Sequence, residues 1–457
     1  MRLAPLLGLL FLTACATTAP LSVTKSSASL DGLSSIAGPM LTFPAKPGIP
    51  VLRPNQQIAQ DFIDLEFNME SGLTLPVLTR FEGPISVTMT GNVPPTAHDD
   101  LAKLVSRLRT EAGIDIGLAA PGSAATLTIE FLPKNTLRPM EPTAACFVVP
   151  NVSSMAEYRS RRGSAALDWQ LLTRRDRAAI FIPSDTSPQE VRDCLHEETA
   201  QAMGPLNDLY RLPDSVYNDD NFQSVLTEFD MLMLRMHYAP ELASGLPEQQ
   251  VVARLPALVA RLNPKGEYPG GWSAANTPRV WIDAVSTALS PNSPQAARLP
   301  AAKRMLAIAQ QQGWQDNRLG FAYFALGRLE APHDPIAAQA AYANAAHVYA
   351  SLPDGGVHLS HALMQLAAIA LATGQTDQAI KLADQALPLA QTGQNAALLA
   401  TLLMIKSAGL SIEGHSAEAA ALRLDSLPAA RYAFGSEQEV RKRASEIAAL
   451  ATRGQRG

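Results

Sequence analysis

Two stretches in the first half of the chain alternate between apolar and polar residues with the period of a strand. They are residues 83–91, around Ile85-Ser86-Val87-Thr88-Met89, and Ala125-Thr126-Leu127-Thr128-Ile129-Glu130-Phe131. Between them, residues 95–113 carry apolar side chains at helical spacing and predict an amphipathic helix. Phe147-Val148-Val149 marks a further strand region, and residues 177–183 another. Ser187-Pro188 then signals a helix start, with Ser187 as N-cap and Pro188 at the first helical position. From about residue 256 the pattern changes to alanine-rich helices punctuated by Gly, Pro and Asn. Thr277-Pro278, Ser293-Pro294 and Asp334-Pro335 each predict a helix N-terminus. The pattern therefore predicts an α+β domain over residues 57–250 followed by an all-α domain over residues 256–457.

The helical part also repeats. Leu366, Ala367, Ala370 and Gly374, followed by Ala379, Ala383 and Ala386, match the small and large positions of a tetratricopeptide helix pair. Leu319, Gly320, Tyr323 and Gly327 echo the first half of that spacing, and Gly414 marks a third, weaker unit. This resembles tetratricopeptide or related helical hairpins. The resemblance implies a stacked architecture that binds a protein or peptide partner. His358 and His361 share a helix face, and are expected to be ordinary surface residues rather than metal ligands.

Near its start the chain has Arg2, then an apolar run over residues 3–12, then Leu12-Thr13-Ala14-Cys15. Residues 1–14 read as a lipoprotein-type signal peptide cut just before Cys15, whose thiol would carry the lipid. The alternative is an ordinary secretory signal cut a few residues later. Residues 15–56, rich in Ser, Thr, Ala and Pro, read as a tether. Ala16 follows Cys15, with no Asp beside it. By resemblance to bacterial lipoproteins, that implies the outer membrane, with the protein facing the periplasm.

Of the three cysteines, Cys146 and Cys194 remain once Cys15 is lipidated. An oxidising compartment would allow them to join, closing a loop worth about 3 to 4.5 kcal/mol in the chain-entropy model. Two buried free thiols are the alternative. The formal net charge of -5 speaks against a general nucleic-acid binder. Arg159, Arg161, Arg162, Arg174, Arg175 and Arg177 form one local basic stretch, expected to be a solvated face paired with Asp168 and Asp176.

The candidate chemistry lies in Cys194-Leu195-His196-Glu197-Glu198-Thr199-Ala200-Gln201-Ala202-Met203-Gly204-Pro205-Leu206-Asn207-Asp208. A zinc-peptidase helix needs two ligands one turn apart, with a carboxylate beside the first to activate water. Starting from His196, the second ligand would fall on Ala200, which offers nothing. Starting from Glu197, the pattern becomes Glu197 as ligand, Glu198 as general base and Gln201 as second ligand, with Gly204 and Asn207 at the spacings of the longer motif. Glu197 and Gln201 then share one helix face, and Gly204 permits a turn.

Downstream, Ser215-Val216-Tyr217-Asn218 resembles the Met-containing turn beneath a metzincin metal site. The stretch from Leu226 to Tyr238 is similar to the Asp-containing helix that follows it. The full pattern is similar to a bacterial family built on the domain of unknown function numbered 2927. Cys194, Leu195, Glu197, Glu198, Gln201, Gly204, Asn207 and Asp208 carry its signature, with Asn218-Asp219-Asp220 and Asp230 after them. The resemblance implies a zincin-like (metzincin-like) fold for residues 57–250. Strand, helix, strand, strand and then the site helix is the order such a fold requires.

One carboxylate and two amides form a poor zinc set and suit calcium or no ion at all. No cofactor is expected, with a single divalent ion, zinc or calcium, as the alternative. The sequence thus points to an anchored envelope scaffold with a non-proteolytic zincin-like domain and a partner-binding repeat. The rival is a metal-dependent hydrolase with Glu198 as general base and Glu197, Gln201 and Asn207 around the ion. A third arrangement would add a distant His237 to the His196-Glu197 pair.

Overall fold

The computed structural model describes residues 40–43, 51, 53–120, 122–268 and 276–454. The expected signal peptide, Cys15 and most of the expected tether lie outside the described residues. Residues 40–43, inside that tether, are not free chain: Leu41 donates its N–H to the Pro428 carbonyl (3.1 Å), and Arg192 stacks over Phe43.

The first region is an α/β sheet domain. Its strands are β1 (Ile85–Gly91), β2 (Ile116–Leu118), β3 (Leu127–Leu132), β4 (Phe147–Pro150) and β5 (Ala178–Pro183). They lie in the order β2-β1-β3-β5-β4, with β4 antiparallel on one edge and the other pairs parallel. Helices α1 (Asn55–Glu66), α2 (Ala97–Glu111), α3 (Lys134–Leu137), α4 (Met155–Arg161), α5 (Pro188–Met203), α6 (Glu228–His237) and α7 (Glu248–Leu262) complete it.

Burial along β5 follows the strand period. Ala178, Ile180 and Ile182 join the main core beneath α2 and α5, whereas Ala179 and Phe181 face a smaller core with Val152 and Met155. Both sheet faces are therefore covered, and β5 is buried along its whole length.

The second region is all-α: α8 (Arg279–Leu289), α9 (Gln295–Gln311), α10 (Asn317–Glu330), α11 (Pro335–Ser351), α12 (Gly356–Ala372), α13 (Thr376–Thr392), α14 (Ala396–Ile412), α15 (Ser416–Phe434) and α16 (Glu437–Gly454). Pairs α10/α11, α12/α13 and α14/α15 are successive hairpins, each helix packing most closely on its neighbour in the chain. Gly374 and Gly414 close two of these turns in the left-handed region that glycine tolerates. Gly320 and Gly327 serve a different need. An added Cβ would come 2.5 Å from the Tyr349 ring and 2.9 Å from the Tyr342 ring, so both glycines let α11 approach α10.

The boundary expected near Pro256 is not a break. α7 runs through Pro256 and packs on α1 and α6, so it belongs to the first region. No helix among the described residues is long and apolar enough to cross a membrane.

The two regions share a core. The loop after α5 reaches into the helical region, where Phe222 packs against the rings of Phe321, Phe324, Tyr349, His358 and His361. Asp220 anchors that loop. One of its oxygens lies 2.7 Å from His358 Nε2 and accepts from Asn317 (2.7 Å) and Asn218 (2.9 Å). His358 and His361 are buried, not surface residues as their isolation in the sequence implied. Apolar burial holds His361 neutral, its pKa lowered to about 3.

Candidate functional site

The site is built on α5, whose start is fixed three times over. Ser187 and Glu190 form a reciprocal capping box, Pro188 occupies the first turn, and Cys194 is joined to Cys146 with the Cα atoms 6.0 Å apart. The bridge ties the middle of α5 to the start of edge strand β4.

The far end of α5 is held by a side chain expected to be solvated. Arg175 is buried and donates to the carbonyls of Gln201 (2.7 Å), Ala202 (2.8 Å) and Gly204 (2.5 Å), and to Thr79 Oγ1 (3.3 Å). Its charge meets the negative end of the helix dipole and satisfies carbonyls that have no helical partner. The rest of the basic stretch also departs from the expected pairing. Arg161 and Arg177 bind Glu157, and only the Arg174–Asp176 pair matches the expectation.

Each motif residue can now be placed. His196 is buried, and its Nδ1 accepts the Leu226 N–H (3.2 Å), so the ring pins the chain entering α6. Burial and the nearby Arg192 and Arg107 lower its pKa well below the ordinary histidine value. Asn207 donates through Nδ2 to the Asp64 carbonyl (2.8 Å) and so ties the loop to α1. Gly204 is backbone in close quarters: a Cβ there would meet Leu234 Cδ2 at 2.9 Å. Gln201 is half-buried, and its backbone carbonyl is one of those capped by Arg175.

Asp230, fully buried, accepts from Ser215 Oγ (2.5 Å), the Val216 N–H (3.2 Å), the Thr227 N–H (2.8 Å) and Thr227 Oγ1 (3.1 Å). It thereby fixes the Ser215–Tyr217 turn against α6. His237, considered as a distant ligand, is committed to Glu66, with Nδ1 2.7 Å from the carboxylate.

What the structure brings together around Glu197 and Glu198 is a group of carboxyls. Glu198 is 4 % exposed, with Oε2 buried and without a hydrogen-bond partner. Glu197 and Asp208 are half-buried, and Asp208 Oδ1 is likewise unpartnered. Glu70, just beyond α1, is exposed, and its carboxyl acts on Asp208, which it helps to raise. Asp219 is also exposed and accepts from the Tyr210 hydroxyl (2.5 Å).

Burial, then the repulsion of Asp219, Glu70 and Asp193, pushes Glu197 up to about 8. Burial together with Glu197 and Glu70 pushes Glu198 well above the carboxylate range, and Asp208 rises for the same kind of reason. No lysine or arginine is among the groups acting on these three. At neutral pH the protonated form of Glu197 is favoured.

Of the expected ion site, Glu197 and Gln201 are half-buried on α5 and Asn207 is buried in the loop after it. The Asn207 amide is turned to a backbone carbonyl. Among the described residues, no three His, Cys, Asp or Glu side chains are grouped to hold an ion. Glu70 and Arg175 are the residues that reading the motif missed, whereas Asp219 stood in its Asn218-Asp219-Asp220 turn without an assigned role. Glu70 lies outside the motif and carries no spacing signal, and Arg175 was hidden among its cationic neighbours.

No curated protein and no solved structure matches the chain. Residues 55–257, which contain every carboxyl of the cluster, match the model of the family described as Protein of unknown function (DUF2927).

Proposed function

We propose that this protein is a lipid-anchored scaffold of the bacterial envelope, facing the periplasm. In this reading its zincin-like domain binds a protein partner and does not cleave it. The observation that carries the reading is the burial of Glu198. A general base must accept a proton from water, and the Glu198 carboxyl is buried, leaves Oε2 without a partner, and is pushed towards its protonated form by burial and by Glu197 and Glu70. The ligand positions support the same reading, because the neutral amide oxygens of Gln201 and Asn207 are poor donors for zinc. The parallel sheet with one antiparallel edge strand, followed by the site helix, supports descent from a zincin-like fold. The helical hairpins, tetratricopeptide-like in their alanine and glycine positions, supply the rigid frame. One of their apolar surfaces is already covered by Phe222, so partners meet other faces of the molecule.

The test is metal content by mass spectrometry on protein purified without chelator, together with peptide turnover by wild type and Glu198→Gln. The scaffold reading expects no turnover that Glu198→Gln abolishes. One equivalent of zinc, lost in Gln201→Ala, with cleavage lost in Glu198→Gln, would establish the hydrolase instead.

A further inference from the structure

Where α9 turns into α10, the helical region forms a cavity of about 330 Å³ against α11. Gly313, at φ +67°, takes the chain out of α9 through the left-handed region that glycine tolerates. Gln310 from α9, Trp314 and Gln315 from the turn, Tyr323 from α10, and Asn344 and His347 from α11 supply the polar lining. Leu319 and Val348 add apolar surface.

Trp314 is the fixed part of this wall, 5 % exposed. The Arg318 guanidinium lies 3.7 Å from its ring centroid, and Trp281 meets it edge-on at 5.6 Å. Its backbone N–H bonds the Ala309 carbonyl (3.1 Å). The indole Nε1, which can only donate, meets no acceptor among the described residues. A buried donor in that state costs stability until something outside the protein supplies an acceptor.

The lining also selects by charge and shape. None of its residues is an Asp, Glu, Lys or Arg, so a charged guest would find no counter-ion and a neutral one is preferred. Gln315 and Asn344 are exposed carboxamides, each with donors and an acceptor side by side. Hydroxyl groups donate and accept at once, so neighbouring hydroxyls on a sugar ring match such amides. The C–H faces of the same ring pack on an aromatic side chain. Tyr323 offers one, half-buried and held by Gln310 Nε2 donating to its hydroxyl (3.2 Å). The indole N–H is best met by an amide carbonyl, a stronger acceptor than a hydroxyl. The volume lies at the small end of ligand pockets and suits a short saccharide.

We propose that this cavity binds a neutral saccharide carrying an acetamido group. Trp314 Nε1 donates to the acetamido carbonyl, Gln315 and Asn344 hold ring hydroxyls, and Tyr323 packs on the ring. The site lies on the helical region and is independent of what Glu198 does.

The experiment titrates the full chain, nitrogen-labelled at its tryptophan indoles for magnetic resonance, with three probes. They are N,N′-diacetylchitobiose, cellobiose as the sugar without acetamido groups, and acetyl-alanine amide as a peptide. Saturable binding of diacetylchitobiose that moves the Trp314 indole resonance, assigned by Trp314→Phe, is expected. Cellobiose and the peptide should each bind about tenfold more weakly or worse. Gln315→Ala and Asn344→Ala change exposed side chains, so each should weaken the sugar several-fold and leave the melting temperature in place. These two variants decide the matter even if Trp314→Phe does not fold.

Absence of saturable diacetylchitobiose binding by the folded protein overturns the proposal. So does binding that neither exposed variant weakens, or that leaves every indole resonance unmoved. Cellobiose binding as tightly would remove the acetamido group and with it the proposal, and tighter binding of the peptide would overturn it in favour of a peptide site.

Discussion

Replacing Arg175 by methionine keeps most of the side-chain volume and removes the four hydrogen bonds its guanidinium makes. Three of the abandoned acceptors are main-chain carbonyls at the end of α5. An unsatisfied buried acceptor costs about 1 to 3 kcal/mol. The gain from no longer burying a charge offsets part of this, and breaking a comparable buried charged contact costs about 3 to 5 kcal/mol. At about 2 to 4 °C per kcal/mol for a domain of this size, the melting temperature of the first region should fall by roughly 6 to 20 °C. Arg175→Lys should lie between methionine and wild type, because a single ammonium cannot serve three carbonyls in a fork geometry. Calorimetry of the full chain reads the loss, and amide exchange over residues 200–206 locates it. A methionine variant within about 1 kcal/mol of wild type, below the cost of even one orphaned carbonyl, would refute the assignment of Arg175 as the clamp on α5.

Three further outcomes are expected. Cys146→Ser with Cys194→Ser opens a link of sequence separation 48 and should cost about 4 kcal/mol in urea unfolding; an unchanged midpoint would remove the bridge from the account of stability. Glu197, pushed up to about 8, binds its proton more tightly in the folded than in the unfolded chain. Glu198 and Asp208 shift the same way. Folding therefore takes up protons, and urea midpoints should fall as pH rises from about 4.5 to about 8; a midpoint that rises over that window would contradict the protonated cluster. Gly204→Val should destabilise by about 1 to 3 kcal/mol by forcing Leu234 aside, and Leu234→Ala should recover part of the loss, read as a double-mutant cycle.

Much of the local structure was legible. Ser187 and Pro188 mark the start of α5 because capping chemistry is local, and the alternation around β1 and β3 is a direct consequence of one strand face meeting the core. The helix pairs around Gly374 and Gly414 were readable because small residues and left-handed glycines recur where hairpins close. Other elements were missed. Three-residue β2 is too short to show a period, and α1 was not singled out although Ile58, Phe62 and Leu65 stand at helical spacing.

The candidate site was legible only in part. The motif named the helix and its acids, but its ligand register assumed that Asn207 and Gln201 would turn toward Glu197. In the fold, Asn207 turns toward α1.

By itself, then, the sequence determined where strands and helices begin, which cysteines remain to pair, and that Glu197 and Glu198 lie side by side on one helix. Those properties depend on neighbours within a few residues, or on counting. Only the tertiary structure decided that Arg175 is buried beneath the end of α5, that His358 and Phe222 join the two regions, and that Glu70 and Asp219 act on Glu197. Burial and the summed field of distant charges set those outcomes. Both depend on residues far apart in the chain, 138 positions at Asp220 and His358, and a local pattern carries no record of them.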